Sequence, residues 1–263
     1  MNIDRRVWIG AALAAAALPT ATLRAAGQAG AQALRDKPVS LGLLMFERMD
    51  QIDFTGPFSV LSRLPDATLH SFAATAAPVR DHKGFVLTPQ MGIDALPAVD
   101  VLVVTGGPGQ EALMRDDALL RLLRLHHSQG RIVFSVCTGA LLCGAAGVLR
   151  GRRATTHWAA ADLLPYFGAR RVDERVVVDG NLVTAAGITA GIDGALVLAS
   201  LLRGDRVAQE IQLDIQYAPE PPFDAGSPRT APAAVRDAVS GRFAPISAQR
   251  QITAQSWAKE PWS

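Results

Sequence analysis

The sequence predicts an α/β protein with one mostly parallel sheet sandwiched by helices. Two observations lead to this fold class. Strand-length apolar runs alternate with helical segments almost throughout. Several of these runs are continuously hydrophobic, as in strands that are buried on both faces. The chain has 263 residues, of which 49% are hydrophobic, enough for one sizeable core. We therefore expect one main domain over residues 34–235 and a C-terminal extension over 236–263.

Short apolar runs predict seven strands. The run VSLGLLMF at 39–46 is typical of a buried parallel strand, and Asp179-Gly180-Asn181 is a hairpin signal between the last two strands. The predicted strands cover 39–46, 67–75, 85–89, 100–105, 131–136, 172–179 and 182–186.

Helical signals lie between these strands. Pro57 fits the first turn of a helix over 53–64, and leucines give the helix at 117–127 an apolar face. Further helices are predicted at 138–149, 158–167, 187–202 and 205–217. From 218 the chain is rich in Pro, Gly, Ser and Ala, which predicts an ordered wrap to about 232, then a short helix and a loose end.

The charge distribution argues against nucleic acid as a partner. The formal net charge is +2, and acidic and basic residues balance once the first 33 residues are left out. A basic patch or a long charge run is absent from the sequence. A small-molecule substrate is the partner that remains.

The first 33 residues are typical of an export signal. Arg5-Arg6 precede an apolar stretch and then small residues, as in twin-arginine signals, and a mature chain would begin near Leu34. The apolar stretch is broken by Pro19 and is short and Ala-rich, so stable membrane anchoring is not expected. A periplasmic location follows. The alternative is a mobile N-terminal helix on a cytoplasmic protein.

Cys137 lies where a predicted strand becomes a helix, in FSVCTGALLCGAAG. Free N–H groups and the dipole at a helix start stabilise a thiolate, and small residues follow the thiol, as a sharp nucleophile elbow requires. Cys137 is therefore a candidate nucleophile, and a buried inert cysteine is the alternative. Cys143, in the middle of the same helix, is expected to be inert, and the rise of about 9 Å between the two cysteines excludes a disulfide.

Three segments follow predicted strands and should meet at the edge of the sheet where ligands bind. They are the turn around Asp53, the loop 106–109 (GGPG) and Cys137. Asp53 is either a helix cap or a proton donor and acceptor beside the thiol. The glycine loop is either a plain turn or, with the Thr138 N–H, a hole that stabilises an anion or a nitrogen.

Histidines give weaker signals. His157 either activates the thiol as a Cys–His pair or only hydrogen-bonds locally before its helix. His126 and His127 are expected to be solvated and distant from the site. The His, Cys and Asp residues do not have metal-ligand spacing, so neither a metal nor a cofactor is predicted.

Several motifs resemble the DJ-1/PfpI superfamily, and within it the isonitrile (isocyanide) hydratase branch. The superfamily resemblance lies in 106–109 (GGPG), 135–139 (SVCTG), 144–147 (GAAG), 151–158 (GRRATTHW) and 187–191 (GITAG). The branch resemblance lies in 53–57 (DFTGP), 217–219 (YAP), 221–223 (PPF) and 225–228 (AGSP). The resemblance covers about residues 38–235 and implies a flavodoxin-like, class I glutamine amidotransferase-like domain.

This resemblance implies a cofactor-free hydro-lyase that converts isonitriles to N-substituted formamides through a thioimidate. The implied catalytic residues are Cys137, Asp53 and Thr138. Gly106, Gly107, Ile188 and His157 are implied to bind the substrate. A homodimer is also implied by the family.

The same comparison argues against two other classes. Thr138 stands where the protease-like branch has His in a Cys-His dipeptide, which counts against peptidase activity. The helix-turn-helix regulators of the family carry an appended DNA-binding domain, and about thirty residues after Pro232 are too few for one.

Two other functions remain open on the sequence alone. One is a redox-responsive or small-molecule-sensing protein whose exposed thiol oxidises. The other is glyoxalase-like or hydrolase-like chemistry on a different electrophile. The sequence does not rank the R group of an isonitrile substrate.

Overall fold

In the computed structural model, which describes residues 31 and 34–259, eleven strands occur in the described part of the chain. The main-sheet strands are β1 Val39–Leu44, β2 Ala67–Ala73, β5 Met91–Gly92, β6 Val101–Val104, β7 Ile132–Val136, β10 Val176–Asp179 and β11 Leu182–Ala185. The short outer strands are β3 Val79–Arg80, β4 Val86–Leu87, β8 Arg153–Ala154 and β9 Arg170–Arg171.

The main sheet has the order β10-β11-β7-β6-β1-β2-β5. All neighbouring pairs are parallel except β10 and β11, which form an antiparallel hairpin. Gly180 lies at the tip of this hairpin with φ 63°, a left-handed conformation that glycine adopts without strain. The predicted α/β fold and the hairpin are confirmed.

The helices are α1 Gln51–Leu61, α2 Gln110–Leu113, α3 Asp117–Ser128, α4 Gly139–Ala145, α5 Ala190–Arg203, α6 Asp205–Asp214 and α7 Ala233–Trp257, with 3-10 helices at Ile93–Ala95 and Trp158–Phe167. One group of contacting helices contains α1, α5 and α6. A second contains α3, α4, the longer 3-10 helix and α7.

The continuous apolar runs form the centre of the sheet, as the sequence predicts. Every residue of β6, β7 and β11 is buried, because helices cover both faces of these strands. The predicted strand at 85–89 is different. Only Val86–Leu87 is extended there, and it pairs with β3 outside the main sheet, while Met91–Gly92 supplies the edge strand.

The C-terminal helix begins at 233, as expected, but the expectation that it is short and is followed by a loose end was wrong. A single helix, α7, spans Ala233–Trp257, so the boundary drawn at 235 falls inside it and the segment is not a loose end. The helix packs on the 3-10 helix Trp158–Phe167 and buries Arg250 and Ala254. Pro245 and Gly241 made a long helix look improbable, but both lie on its exposed side.

The export signal predicted at 1–33 lies outside the described residues apart from Ala31. Within residues 34–259, none of the helices combines the length and the hydropathy needed to cross a bilayer. His126 corrects another expectation, since only 4% of its surface is exposed and it forms a 2.8 Å hydrogen-bonding contact with the Ile132 carbonyl.

Candidate active site

Cys137 forms a sharp elbow between β7 and α4. Its φ is 55°, a conformation that non-glycine residues adopt only when their surroundings enforce it. The Cys137 N–H donates to the carbonyls of Ala185 and Ala186, and its carbonyl accepts a 2.7 Å hydrogen bond from the Thr156 hydroxyl. These bonds hold the strained residue on both sides. The nucleophile elbow predicted from the sequence is present.

Asp53 lies in the first turn of α1 and is not its cap. Asp50 occupies the N-cap, and its side chain accepts from the Ile52 N–H at 3.0 Å. Asp53 is fully buried, and its Oδ2 accepts the Gly106 N–H at 3.0 Å. No protein N–H or O–H group of the described residues donates to Oδ1. The Asp53 carboxyl group is therefore not needed to cap α1 and is available at the site.

The Cys137 thiol and the Asp53 carboxyl lie close enough to act on each other's pKa. Burial, followed by the charge of Asp50, raises the pKa of Asp53 to about 8, and the hydrogen bonds from Gly106 and the thiol only partly oppose this rise. Burial and the charge of Asp53 also raise the pKa of the Cys137 thiol well above its ordinary value. The two groups brought together by the sequence argument therefore do meet.

The protonation state of the thiol differs from the sequence-based expectation. An exposed thiolate was expected at the helix start, yet only 5% of Cys137 is exposed and its pKa is raised. Desolvation of the sulfur outweighs the stabilising groups around it. These groups are the backbone N–H groups of Ile188 and Thr138, which hydrogen-bond the thiol, and the positive charge of Arg250.

Ile188 reaches the site through its backbone. It follows β11 and has φ 35°, again a strained value for a β-branched residue. Its N–H group hydrogen-bonds the Cys137 sulfur. The sequence placed Ile188 in the substrate site, and the structure places it against the nucleophile.

The glycine loop after β6 is bound to the other catalytic segments. The Gly106 N–H donates to Asp53, and the Gly107 N–H donates to Thr138 Oγ1 at 3.0 Å. The Gly107 N–H is therefore not free to orient a substrate, which differs from the expected role. Its partner hydroxyl donates back to the Gly107 carbonyl at 3.3 Å, so the Thr138 hydroxyl is also engaged. Thr138 faces the sulfur through its backbone N–H instead.

His157 is a local structural residue at the edge of the site. Its Nδ1 accepts the Ala159 N–H at 3.2 Å and caps the 3-10 helix, and its ring lies edge-on to Phe243 of α7. Burial, together with the charge of Arg250, lowers the pKa of His157 to about 4. The ring also packs against Gly187, where an added Cβ would lie 2.7 Å from Cδ2. Of the two interpretations, local hydrogen bonding is the one observed.

Arg250 is the site residue that the sequence analysis missed. It comes from α7, is 5% exposed, and its Nη2 donates to the Gly107 carbonyl at 3.1 Å. Its positive charge acts on Cys137 and His157. An arginine on a polar helix gives no sequence signal of this kind, because charged residues on such helices are usually solvated.

Cys143 is fully buried in α4, and burial raises its pKa to about 12, as expected of an inert thiol. Within the described ranges, 31 and 34–259, the His, Cys, Asp and Glu side chains form no cluster able to hold a metal ion. The groups that the described residues bring to the site are a thiol, a carboxyl group, a guanidinium group and backbone N–H donors.

Comparisons with known proteins agree with this arrangement. A family model described as the DJ-1/PfpI family matches residues 39–201. The chain is 49% identical over 222 residues to an isonitrile hydratase from Pseudomonas putida, covering 84% of this chain and 97% of that protein.

Solved structures give the same fold. A ThiJ/PfpI family protein from Pseudomonas syringae superimposes with a TM-score of 0.79 at 34% identity, covering 84% of this chain and 91% of the other. Drosophila melanogaster DJ-1beta superimposes with a TM-score of 0.63 at 22% identity, covering 69% of this chain and 99% of the other, and supports the fold alone.

Proposed function

This chain belongs to the DJ-1/PfpI family, and on that premise we propose that it hydrates isonitriles to N-substituted formamides. The observation that carries the proposal is the pairing of the Cys137 thiol with the buried Asp53 carboxyl. The similarity to an isonitrile hydratase along most of both chains supports the same substrate class. The reaction needs no cofactor, because an isonitrile carbon accepts both a proton and a nucleophile.

The first step forms a thioimidate. With a pKa of about 8, Asp53 is mainly a neutral acid at pH 7. It donates its proton to the terminal carbon of R–N≡C while Cys137 Sγ bonds to the same carbon, and the thiol proton passes to the carboxylate. The product is R–N=CH–S–Cys137, and Asp53 is again protonated. The N–H groups of Thr138 and Ile188 stabilise the charge that develops on sulfur.

The second step hydrates the thioimidate. Asp53 protonates the nitrogen, and its carboxylate accepts a proton from the water that attacks the carbon. The adduct R–NH–CH(OH)–S–Cys137 then loses the hydroxyl proton to sulfur through the carboxyl group as the C–S bond breaks. R–NH–CHO leaves and the thiol is restored. Proton transfer by one placed group typically contributes about 10²–10⁴-fold to the rate.

A redox or sensing function has less support. Oxidation of cysteine follows thiolate content and exposure, and Cys137 is buried with a raised pKa. Stoichiometric oxidation of Cys137 by dilute peroxide, in a protein that does not turn over isonitriles, would favour that alternative.

The test is formamide production from cyclohexyl isocyanide by the purified protein. We expect Cys137→Ala to abolish turnover, and Asp53→Asn to reduce kcat by at least about 100-fold. Cys143→Ala is the matched control, because it removes the inert thiol of the same helix and should keep most of the activity. Unchanged turnover in Cys137→Ala would exclude the mechanism.

Export and dimerisation are also part of the proposal. The Arg5-Arg6 leader supports twin-arginine export to the periplasm, and the family supports a homodimer. Replacing both arginines by lysine should retain the protein in the cytoplasm, and the mature N-terminus of the periplasmic form should lie near Leu34. Light scattering after size exclusion should give twice the mass of the chain.

A further inference from the structure

The guanidinium of Arg250 is buried in the wall of the site. Its Nε donates to Gln110 Oε1 at 3.0 Å, and its Nη2 donates to the Gly107 carbonyl at 3.1 Å and to Thr138 Oγ1 at 3.4 Å. It thereby joins α7 to the glycine loop, to α2 and to the residue after the nucleophile.

Within residues 34–259, this buried cation has no carboxylate as a direct partner. Among the described residues, none of the carboxylates lies within ion-pair distance of Arg250, and the adjacent Glu111 is engaged by the hydroxyl of Thr253 and the amide of Gln110. Burying a charge without a counter-charge is costly, and such groups are concentrated at functional sites. Two groups favour the charged form of Arg250: the sulfur of Cys137, with the larger effect, and the Glu111 carboxylate.

The contacts also fix the direction of the Thr138 proton. Thr138 Oγ1 receives the Gly107 N–H and the Arg250 Nη2–H, so its own hydrogen points to the Gly107 carbonyl. That carbonyl accepts from Arg250 as well and from the Gln110 N–H at 3.2 Å. Losing the guanidinium would remove one donor from each of these two oxygens, although their bonds to each other and to the Gln110 N–H would remain.

From these contacts we infer that Arg250, carried by the C-terminal helix, is a positioning residue of the active site. It holds the Gly107 loop and Thr138 against the nucleophile, and its positive charge balances the negative charge that sulfur carries while the thioimidate forms and breaks. The segment 233–257 is therefore part of the active site and not an appendage. The inference rests on the proposed function for its role in turnover, but not for its effect on the thiol.

The groups around the thiol determine how removing Arg250 should change its ionisation. Asp53 of α1 opposes ionisation of the sulfur, while Arg250 and the N–H groups of Thr138 and Ile188 favour it. Behind them lie Asp50 beside Asp53, and Glu111 and His157 beside Arg250. Removing Arg250 leaves the opposing carboxyl group in place, so the thiolate population should fall.

The experiment measures the rate of Cys137 alkylation by iodoacetamide from pH 7 to 9.5, by peptide mass spectrometry, in the full chain. We expect Arg250→Gln to slow alkylation about tenfold or more at a given pH, since a nearby opposite charge typically shifts a pKa by 1–3 units. Arg250→Lys keeps the charge and should recover most of the rate. Arg242→Gln, an exposed arginine on the same helix, is the matched control and should equal the wild type.

Turnover of cyclohexyl isocyanide gives the second measurement. Arg250→Gln should lower kcat more than it raises KM. Arg250→Lys should recover only part of kcat, because an ammonium group lacks the rigid fork that places Nε on Gln110 and Nη2 on Gly107. Alkylation rates of Arg250→Gln equal to those of Arg242→Gln would overturn the inference, whether or not isonitriles are turned over. So would equal losses in the Gln and Lys variants, which would assign a purely structural role.

Discussion

At the scale of single residues, the chemistry depends on the coupling between Cys137 and Asp53. Burial raises the pKa of both groups, and the charge of Asp53 further disfavours a thiolate. The nucleophile is thus stored as a thiol beside a neutral acid, and it loses its proton only as the C–S bond forms. A thiol of this kind reacts with a substrate that itself needs a proton, and its low thiolate content slows its alkylation and oxidation by other reagents.

The pH dependence of turnover tests this arrangement. Because the proposed reaction starts from the acid form of Asp53, kcat/KM should be flat below neutrality and should fall as pH rises through about 8. Initial rates of formamide production from pH 5.5 to 9.5 provide the measurement. A profile that rises through pH 8 instead would mean that the ionised carboxylate starts the reaction.

Gly106 offers a second test of the same residues. A Cβ at this position would lie 2.5 Å from the Thr138 nitrogen and 2.9 Å from Asp53 Oδ2, and the backbone atom cannot give way. Gly106→Ala should displace the carboxyl group and lower kcat/KM by about 100-fold, the scale expected of a misplacement near 1 Å. Gly226→Ala, where an added Cβ meets nothing within 4 Å, is the control and should leave both the rate and the melting temperature unchanged.

Sequence reasoning located the residues that carry the chemistry but not all of their contacts. Cys137 and Asp53 follow strands whose carboxyl ends meet, so a topological argument brought them together, but only the family resemblance implied a catalytic role for Asp53. Gly107 and Thr138 were expected to face the substrate, yet the Gly107 backbone and the Thr138 hydroxyl hydrogen-bond each other. Such reciprocal hydrogen bonds depend on the approach of two loops to within 3 Å, which spacing along the chain does not encode. The role of Arg250 depends on a helix–helix contact and is equally invisible.

At the scale of secondary structure, two different aspartates at the N-terminus of α1 serve in capping and in the proposed catalysis. Asp50 caps the helix, and its charge helps to raise the pKa of Asp53 one turn further on. From the sequence, only Asp53 was considered as a possible cap, and the structure assigns the cap to Asp50. One residue therefore stabilises the helix and tunes the acid.

Two substitutions at Asp50 separate these effects. Asp50→Asn keeps a good cap but removes the charge, so the alkaline limb of the kcat/KM profile should move to lower pH while the stability is retained. Asp50→Ala should shift the profile in the same direction and also cost about 1 kcal/mol of unfolding free energy. pH–rate profiles and urea unfolding measure the two effects. An unshifted profile in Asp50→Asn would mean that its charge does not reach Asp53.

The strands and helices predicted well are those whose hydrophobic sequence pattern matches their burial in the structure. The central strands are apolar throughout and are buried throughout, so β1, β6, β7 and β11 were located within one or two residues. The C-terminal helix was predicted too short because its Pro245 and Gly241 disfavour a helix locally and its apolar face is weak. Packing of α7 on the 3-10 helix Trp158–Phe167 provides the stabilisation that the local helix propensity does not.

At the scale of the whole molecule, a parallel sheet explains why distant segments share one site. The connections after β1, β6, β7 and β11 supply Asp53, the glycine loop, Cys137 and Ile188, and these four strands are neighbours in the sheet. The C-terminal helix then adds Arg250 from the far end of the chain. The site therefore forms only when the complete fold does, and its buried titratable groups couple catalysis to global stability.

This coupling predicts a stability maximum near pH 6.5. Burial lowers the pKa of His126 and His157 to about 4 and also lowers that of His127, so the unfolded chain binds more protons between pH 4 and 6.5 and stability rises with pH there. Asp53 acts in the opposite direction. Its folded pKa of about 8 exceeds the unfolded value, so its contribution falls as pH rises from about 4 to 8, and above pH 6.5 it acts without opposition from these histidines.

Chemical unfolding from pH 4.5 to 8.5 measures this balance, and Asp53→Asn is the diagnostic variant. The amide cannot ionise, so Asp53→Asn should be more stable than the wild type by roughly 2 kcal/mol or more at pH 8, while the difference should shrink toward pH 4. Asp94→Asn, a carboxyl group outside the site, should follow the wild-type curve. A constant gap between Asp53→Asn and the wild type across this range would show that Asp53 ionises in the folded protein as it does in the unfolded chain, and the neutral acid on which the proposed proton transfer depends would be lost.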